Sequence, residues 1–83
     1  MDVAKDVIRV KALGLLAARL PGGSPTVVDC PEEGRLTADE LRKTLGIPDD
    51  EVFIVIVNGR RVTADHPLAP GDEVTFVPPV AGG

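Results

Sequence analysis

The stretch LTADELRKTLG, at positions 36–46, carries the clearest secondary-structure signal in the chain. Thr37 and Glu40 have the spacing of a capping box, in which each side chain accepts a hydrogen bond from the other residue's backbone N–H. Leu41 and Leu45 lie one turn apart and are expected to anchor the helix to a core. The glycine that ends the stretch follows the last leucine, as is common where a helix stops. The sequence therefore predicts one short helix here.

Downstream of this helix, the residues VFIVIV (52–57) are apolar at every position. Such a run is typical of a strand in the middle of a sheet, or of one whose second face meets a partner. Asn58-Gly59 is a strong signal for a two-residue hairpin, after which RRV (60–62) is predicted to return as the next strand. The final strand is EVTFV (73–77), which follows a type II turn signal, Ala-Pro-Gly-Asp.

Upstream of the helix, VIRVKAL (7–13) alternates between apolar and basic residues, the pattern of a half-buried strand. Gly14 breaks this strand, and a short helical turn is predicted over LLAARL (15–20). TVVDC (26–30) is rich in β-formers and is a plausible antiparallel partner for the first strand. This order of elements predicts an α+β roll, in which one main helix packs on a mixed sheet of four to five strands.

The composition limits the possible functions. At 83 residues the chain supports one small domain, with a core built from Val, Leu and Ile because it has no Trp or Tyr. Its net charge of −4 argues against nucleic-acid binding. A single cysteine excludes an internal disulfide and favours a reducing, cytoplasmic setting. No run approaches the ~20 apolar residues of a membrane span, so we expect no membrane association.

Several features that resemble functional motifs have simpler explanations. The glycine-rich loop at 22–24 lacks the Gly-Lys-Ser/Thr ending of a phosphate-binding loop. His66 has no second ligand or base near it in sequence, and nothing near Cys30 would lower its pKa. The acidic run at 49–51 is typical of a solvated loop. We therefore expect no metal site and no bound cofactor, and no nucleophile, base and orienting group can be assembled into a self-contained enzyme.

The chain ends FVPPVAGG (76–83), and this ending has a physical interpretation. Pro78-Pro79 would hold the start of a tail extended, while Gly82-Gly83 would let its end enter a confined channel, since glycine has no Cβ atom. A carboxylate becomes reactive once adenylation with ATP supplies a leaving group. Two terminal glycines are equally compatible with a chain end that simply frays.

Four motifs bear on this choice: VNG (57–59), HPL (66–68), GDEV (71–74) and FVPPVAGG (76–83). In this order and spacing the chain resembles the MoaD/ThiS sulfur-carrier family, whose fold is the ubiquitin-like β-grasp. The resemblance implies a β-grasp domain over residues 1–77 and a flexible Gly-Gly tail over 78–83. The PPVAGG ending is more similar to the molybdopterin synthase small subunits than to the thiamine carriers.

The resemblance also implies a reaction cycle centred on Gly83, preceded by Gly82. An E1-like adenylyltransferase of the MoeB/ThiF type would use ATP to adenylate the Gly83 carboxylate. A sulfurtransferase or cysteine desulfurase would then supply sulfur to form a thiocarboxylate. In the molybdopterin branch, the tail would insert into a MoaE-type large subunit and donate this sulfur. Carriers for thiamine, cysteine, tungsten-pterin or tRNA thiolation, and a ubiquitin-like protein modifier, remain open alternatives.

The alternation of the strands predicts where partners dock. If the basic residues of the first strand face outward, so does Leu13, and the last strand similarly turns Val77 outward. In a β-grasp fold these two strands are parallel neighbours, so the two side chains should meet where the tail emerges. This apolar pair is predicted to contact partners. The tail residues expected to share this contact are Pro78, Pro79, Val80 and Ala81.

Overall fold

The computed structural model describes residues 7–20, 22–30 and 36–79. Its one α-helix within these ranges is α1, Ala38–Thr44. Short 3-10 helices span Gly14–Arg19 and Asp49–Glu51. The strands are β1 (Val7–Ala12), β2 (Thr26–Asp29), β3 (Leu36–Thr37), β4 (Ile54–Val57), β5 (Arg60–Val62), β6 (Pro67–Leu68) and β7 (Glu73–Val77).

Five strands form the main sheet, in the order β2-β1-β7-β4-β5. The two central strands β1 and β7 are parallel, with Arg9 opposite Glu73 and Ala12 opposite Phe76. All other neighbours in this sheet are antiparallel. The predicted mixed sheet is therefore confirmed, and the last strand of the domain lies at its centre.

The helix begins with the predicted capping box. Thr37 Oγ1 accepts from the Glu40 backbone N–H at 3.1 Å, and Glu40 Oε1 accepts from the Thr37 N–H at 3.2 Å. Gly46 follows the helix with a φ of +76°, a conformation that favours glycine. Arg42 donates to Asp39 Oδ1 at 3.0 Å, and this hydrogen bond lowers the pKa of the Asp39 carboxyl. The local sequence thus determines both ends of α1.

One hydrophobic core lies between α1 and the sheet. Leu41 and Phe76 are completely buried, and burial of side chains of this size contributes about 1.5–3 kcal/mol each. Leu45 is only partly buried and packs against the edge of this cluster, so the predicted anchoring by two leucines rests mainly on Leu41. The other fully buried large side chains are Ile8, Val10, Ile47, Leu68 and Val74.

The turn at Asn58-Gly59 connects β4 to β5 as predicted. Both residues have a positive φ, +51° and +85°, as a type I′ turn requires. The Asn58 side chain also donates to Asp72 Oδ1 at 2.9 Å and accepts from the Glu73 N–H at 2.9 Å. These bonds join the hairpin to the turn that precedes β7.

Two features differ from the sequence-based prediction. The apolar run at 52–57 forms a strand only from Ile54 onward, because the Val52 N–H bonds back to Asp49 O in the preceding turn. Phe53, the next residue, leaves 62% of its surface exposed. The second feature is a two-residue antiparallel pair, β3 with β6, that the sequence analysis did not predict. It positions the start of the helix against the segment that leads into β7.

Candidate functional site at the root of the tail

The end of β7 is held by hydrogen bonds on both sides. The Leu13 N–H donates to Phe76 O at 3.1 Å on the β1 side, and the Phe53 N–H donates to Val77 O at 2.7 Å on the β4 side. Pro78 follows without an N–H group, so it cannot continue the donor pattern of the strand. The chain therefore leaves the centre of the sheet at a fixed point, after Val77.

The first proline of the tail rests on the turn that follows β1. Gly14 has a φ of +58°, and a Cβ atom added there would lie 3.5 Å from Pro78 Cγ. That distance is an ordinary contact, so the positive φ, and not lack of space, favours glycine at this position. The turn thus supports the root of the tail from the β1 side.

An apolar strip lies beside this exit, on the sheet face opposite the helix. Leu13 follows the last β1–β7 pair, Ala12 with Phe76, and so lies beside Val77. Ile54 is directly opposite Val77 on the other side. Ile56 is the next outward residue of β4. Leu13 leaves half of its surface exposed, and the other three are partly exposed. We call these four residues the outer strip.

Sequence reasoning predicted half of the outer strip. Leu13 and Val77 are neighbours as expected, whereas Ile54 and Ile56 were not assigned to a site. The signal for them was present in the all-apolar run, which is typical of a strand in the middle of a sheet or of one whose second face meets a partner. The structure places β4 inside the sheet, between β7 and β5, and its outward face is only partly covered within the described residues.

Charged side chains border the outer strip on two sides. Lys11, the outward residue of β1 before Leu13, forms an ion pair with Glu73 at 3.3 Å. On the other side, Arg61 of β5 pairs in register with Ile56 and is exposed. The strip is therefore an apolar surface between an internally paired lysine and an arginine at the sheet edge.

A groove of about 440 Å³ adjoins Pro78 and Pro79 on the side of the first 3-10 helix. Leu15 forms part of its wall and leaves 91% of its surface exposed. Arg19 and Glu51 close one side through two hydrogen bonds, of 2.9 and 2.6 Å, which raise the pKa of the guanidinium. The root of the tail is thus flanked by apolar surface on two sides.

The structure brings together the described members of the predicted site: Leu13, Val77, Pro78 and Pro79. The remaining members, Val80, Ala81, Gly82 and Gly83, lie outside the described residues. Within the described ranges, no group of three metal-binding side chains is found. The helices in those ranges are all too short or too polar to cross a membrane.

A mixed five-stranded sheet over one capped helix, with the carboxyl-terminal segment leaving its central strand, defines a ubiquitin-like β-grasp protein. Solved structures show the same fold. Urm1 from Trypanosoma brucei superposes with a TM-score of 0.72 at 18% identity, covering 94% of this chain and 96% of that one. SAMP1 from Haloferax volcanii gives a TM-score of 0.70 at 26% identity, covering 93% and 99%.

Sequence comparison defines the family. The ThiS family pattern matches residues 26–83. The molybdopterin synthase sulfur carrier subunit of Escherichia coli (strain K12) is 44% identical over 48 residues, which are 58% of this chain and 58% of that protein. The aligned segment therefore spans little more than half of this curated relative. The chain belongs to the ThiS family.

Proposed function

We propose that this protein carries sulfur on the carboxylate of Gly83 and donates it in molybdopterin synthesis. The observation that carries the proposal is the family match, which extends to Gly83 and so includes the whole tail. The 44% identity to a molybdopterin synthase sulfur carrier subunit supports this pathway over the other destinations of carrier-bound sulfur.

The chemistry needs a second protein, because a carboxylate is a poor electrophile and has no adequate leaving group. An E1-like adenylyltransferase, of the MoeB/ThiF type, would join the Gly83 carboxylate to AMP with release of pyrophosphate from ATP. The outer sulfur of a cysteine persulfide, carried by a sulfurtransferase or cysteine desulfurase, would then displace AMP to give an acyl disulfide. A second thiol would reduce that disulfide, which leaves the thiocarboxylate on Gly83 and a new disulfide between the two thiols. A MoaE-type large subunit would accept the tail and transfer this sulfur to a pterin precursor.

The residues of this chain would position the reacting group without activating it. Pro78 and Pro79 favour an extended backbone at the start of the tail, which would direct the following residues away from the sheet. Gly82 and Gly83 have no Cβ atoms and fit a narrow channel. The outer strip lies beside Pro78 and Pro79, so a partner that covers the strip also lies where the tail begins. Binding of the partner to the strip would therefore bring the Gly83 group to it.

The direct test of the pathway is reconstitution with a MoaE-type large subunit, a pterin precursor and carrier that has been thiocarboxylated enzymatically. The proposal predicts formation of the dithiolene product, with sulfur lost from Gly83 in step. Carrier lacking Gly82-Gly83 is the matched control and should give no product. Thiocarboxylated carrier that forms no product would contradict the molybdopterin assignment and leave thiamine, cysteine, tungsten-pterin or tRNA thiolation. Isopeptide-linked Gly83 on lysines of other proteins would instead indicate a protein modifier.

A further inference from the structure

We infer that Arg61 selects the adenylating enzyme by pairing with a carboxylate on its docking surface while apolar side chains of that enzyme cover the outer strip. This inference rests on the proposed function, because it needs an enzyme that activates the tail. It adds a residue to the partner-binding surface and specifies the chemistry of the group that faces it.

The position of Arg61 follows from the register of the sheet edge. In β5, Arg61 pairs with Ile56 of the outer strip, while its neighbour Val62 pairs with Val55 and packs against the core. Because successive side chains of a strand point to opposite faces, Arg61 lies on the same face as the strip. It is exposed, so its guanidinium is available to a protein that covers Ile56.

The two cations that border the strip differ in their pairing. Lys11 is paired with Glu73 at 3.3 Å, so part of its charge is already balanced within the sheet. Among the residues that the structure describes, Arg61 forms no ion pair or side-chain hydrogen bond. The strip therefore has one bordering charge that a partner must balance.

A partner that covers the outer strip must balance the charge of Arg61. A protein that packs on Ile56 removes water from the neighbouring guanidinium, and a charge left unpaired in an interface is costly. Arginine keeps its charge and cannot relieve the cost by becoming neutral. A carboxylate opposite Arg61 satisfies it best, since the planar guanidinium matches a carboxylate with two parallel hydrogen bonds.

The net charge of the protein indicates that Arg61 discriminates between enzymes and does not speed their encounter with the carrier. A carrier with a charge of −4 repels an acidic surface at long range, so a carboxylate facing Arg61 does not accelerate the encounter. The pairing forms only once the two proteins are docked in the correct orientation. It therefore discriminates against enzymes that have an apolar or basic group opposite Arg61. A charge beside an apolar strip could alternatively serve to keep copies of the carrier apart, a role that either sign of charge would fill.

The chain offers a matched control for charge reversal. Arg60 is adjacent on the same strand, is also exposed, and has no ion pair among the described residues. It pairs in register with buried Val57 and therefore points to the opposite face of the sheet from the strip. Arg60→Glu changes the net charge as much as Arg61→Glu does but leaves the outer face unchanged.

The experiment measures carrier-dependent ATP–pyrophosphate exchange by the cognate adenylating enzyme, with wild-type carrier, R61E, R61Q and R60E. We expect R61E to raise the KM for carrier by about tenfold or more with little change in kcat, R61Q to raise it less, and R60E to stay within about twofold. Unchanged urea midpoints for all four proteins would show that folding is unaffected.

Equal KM values for R61E and R60E would overturn the inference. The inference would also be overturned if R61E had the same KM as wild type while R61Q self-associated. That result would show that a charge of either sign at position 61 serves to keep copies of the carrier apart. Absence of exchange with the wild-type carrier and every candidate adenylating enzyme would instead overturn the proposed function, and the inference with it. Charge reversal of a single carboxylate on the enzyme that restores the R61E activity would support the assigned pairing.

Discussion

The clearest stability prediction concerns Asn58, which joins the β4–β5 hairpin to the start of β7. Its side chain makes two hydrogen bonds of 2.9 Å, one to Asp72 Oδ1 and one from the Glu73 N–H. Its φ of +51° is a conformation that asparagine tolerates better than alanine does. Asn58→Ala removes both bonds and places alanine in the left-handed region.

The size of the effect can be built from these two contributions. Each hydrogen bond contributes about 0.5–1.5 kcal/mol, and the exposed position favours the lower half of that range. The left-handed conformation adds roughly 1 kcal/mol for alanine. Asn58→Ala should therefore lower the free energy of unfolding by about 2–3 kcal/mol. Asn58→Gly loses the same hydrogen bonds, but glycine adopts the left-handed conformation without strain. Its free energy of unfolding should therefore fall by about 1 kcal/mol less than that of Asn58→Ala.

Urea denaturation followed by circular dichroism measures both variants, because the chain has no Trp or Tyr for fluorescence. Arg60→Ala, two positions away and exposed, is the control and should change stability by less than about 0.5 kcal/mol. If Asn58→Ala were as stable as the control, the side-chain bonds would contribute nothing. If Asn58→Ala and Asn58→Gly had the same free energy of unfolding, the positive φ of this position would not disfavour alanine.

Three further predictions follow from individual residues. Thr37→Ala removes one half of the capping box and should lower the free energy of unfolding by about 1 kcal/mol in urea titrations; no loss would contradict the role of the cap. Because Arg42 lowers the pKa of Asp39 below its ordinary value of 3.8, the ionised carboxylate stabilises the fold above that pH and ceases to do so as the pH falls through its folded pKa. Asp39→Asn should therefore be less stable than wild type at pH 7, with a difference that shrinks in urea midpoints measured at about pH 3, and a constant difference would refute the pairing. Deletion of Gly82-Gly83 should abolish adenylation while leaving the urea midpoint unchanged; a large loss of stability would mean that the tail is part of the folded core.

Elements with strong local signals were predictable from the sequence. The capping box at Thr37 and the turn at Asn58-Gly59 are set by short-range hydrogen bonds and by backbone preference, so a few residues specify each. Val77 was predicted to face outward because a strand alternates its faces, and its neighbour Phe76, on the opposite face, is completely buried. The parallel pairing of the first and last strands was inferred from the family resemblance, since sequence periodicity does not determine which strands pair.

The features that were missed depend on distant contacts. The β3–β6 pair has two residues per strand and therefore no periodicity to detect. Ile54 and Ile56 belong to an apolar run that fits both a strand in the middle of a sheet and a strand with a partner-binding face. Only the sheet order shows which face of this strand lies beside the tail. The border formed by Arg61 likewise depends on its register with Ile56, which no local pattern in the sequence specifies.

The central claim is that Gly83 carries the reactive group, and intact-protein mass spectrometry tests it most directly. The carrier is incubated with its adenylating enzyme, ATP and a sulfur donor, then fragmented to locate any change. The account predicts a mass increase that corresponds to replacement of one oxygen by sulfur, confined to the fragment that ends at Gly83. Sulfur found on the buried Cys30 instead, or adenylation without any sulfur at Gly83, would contradict it.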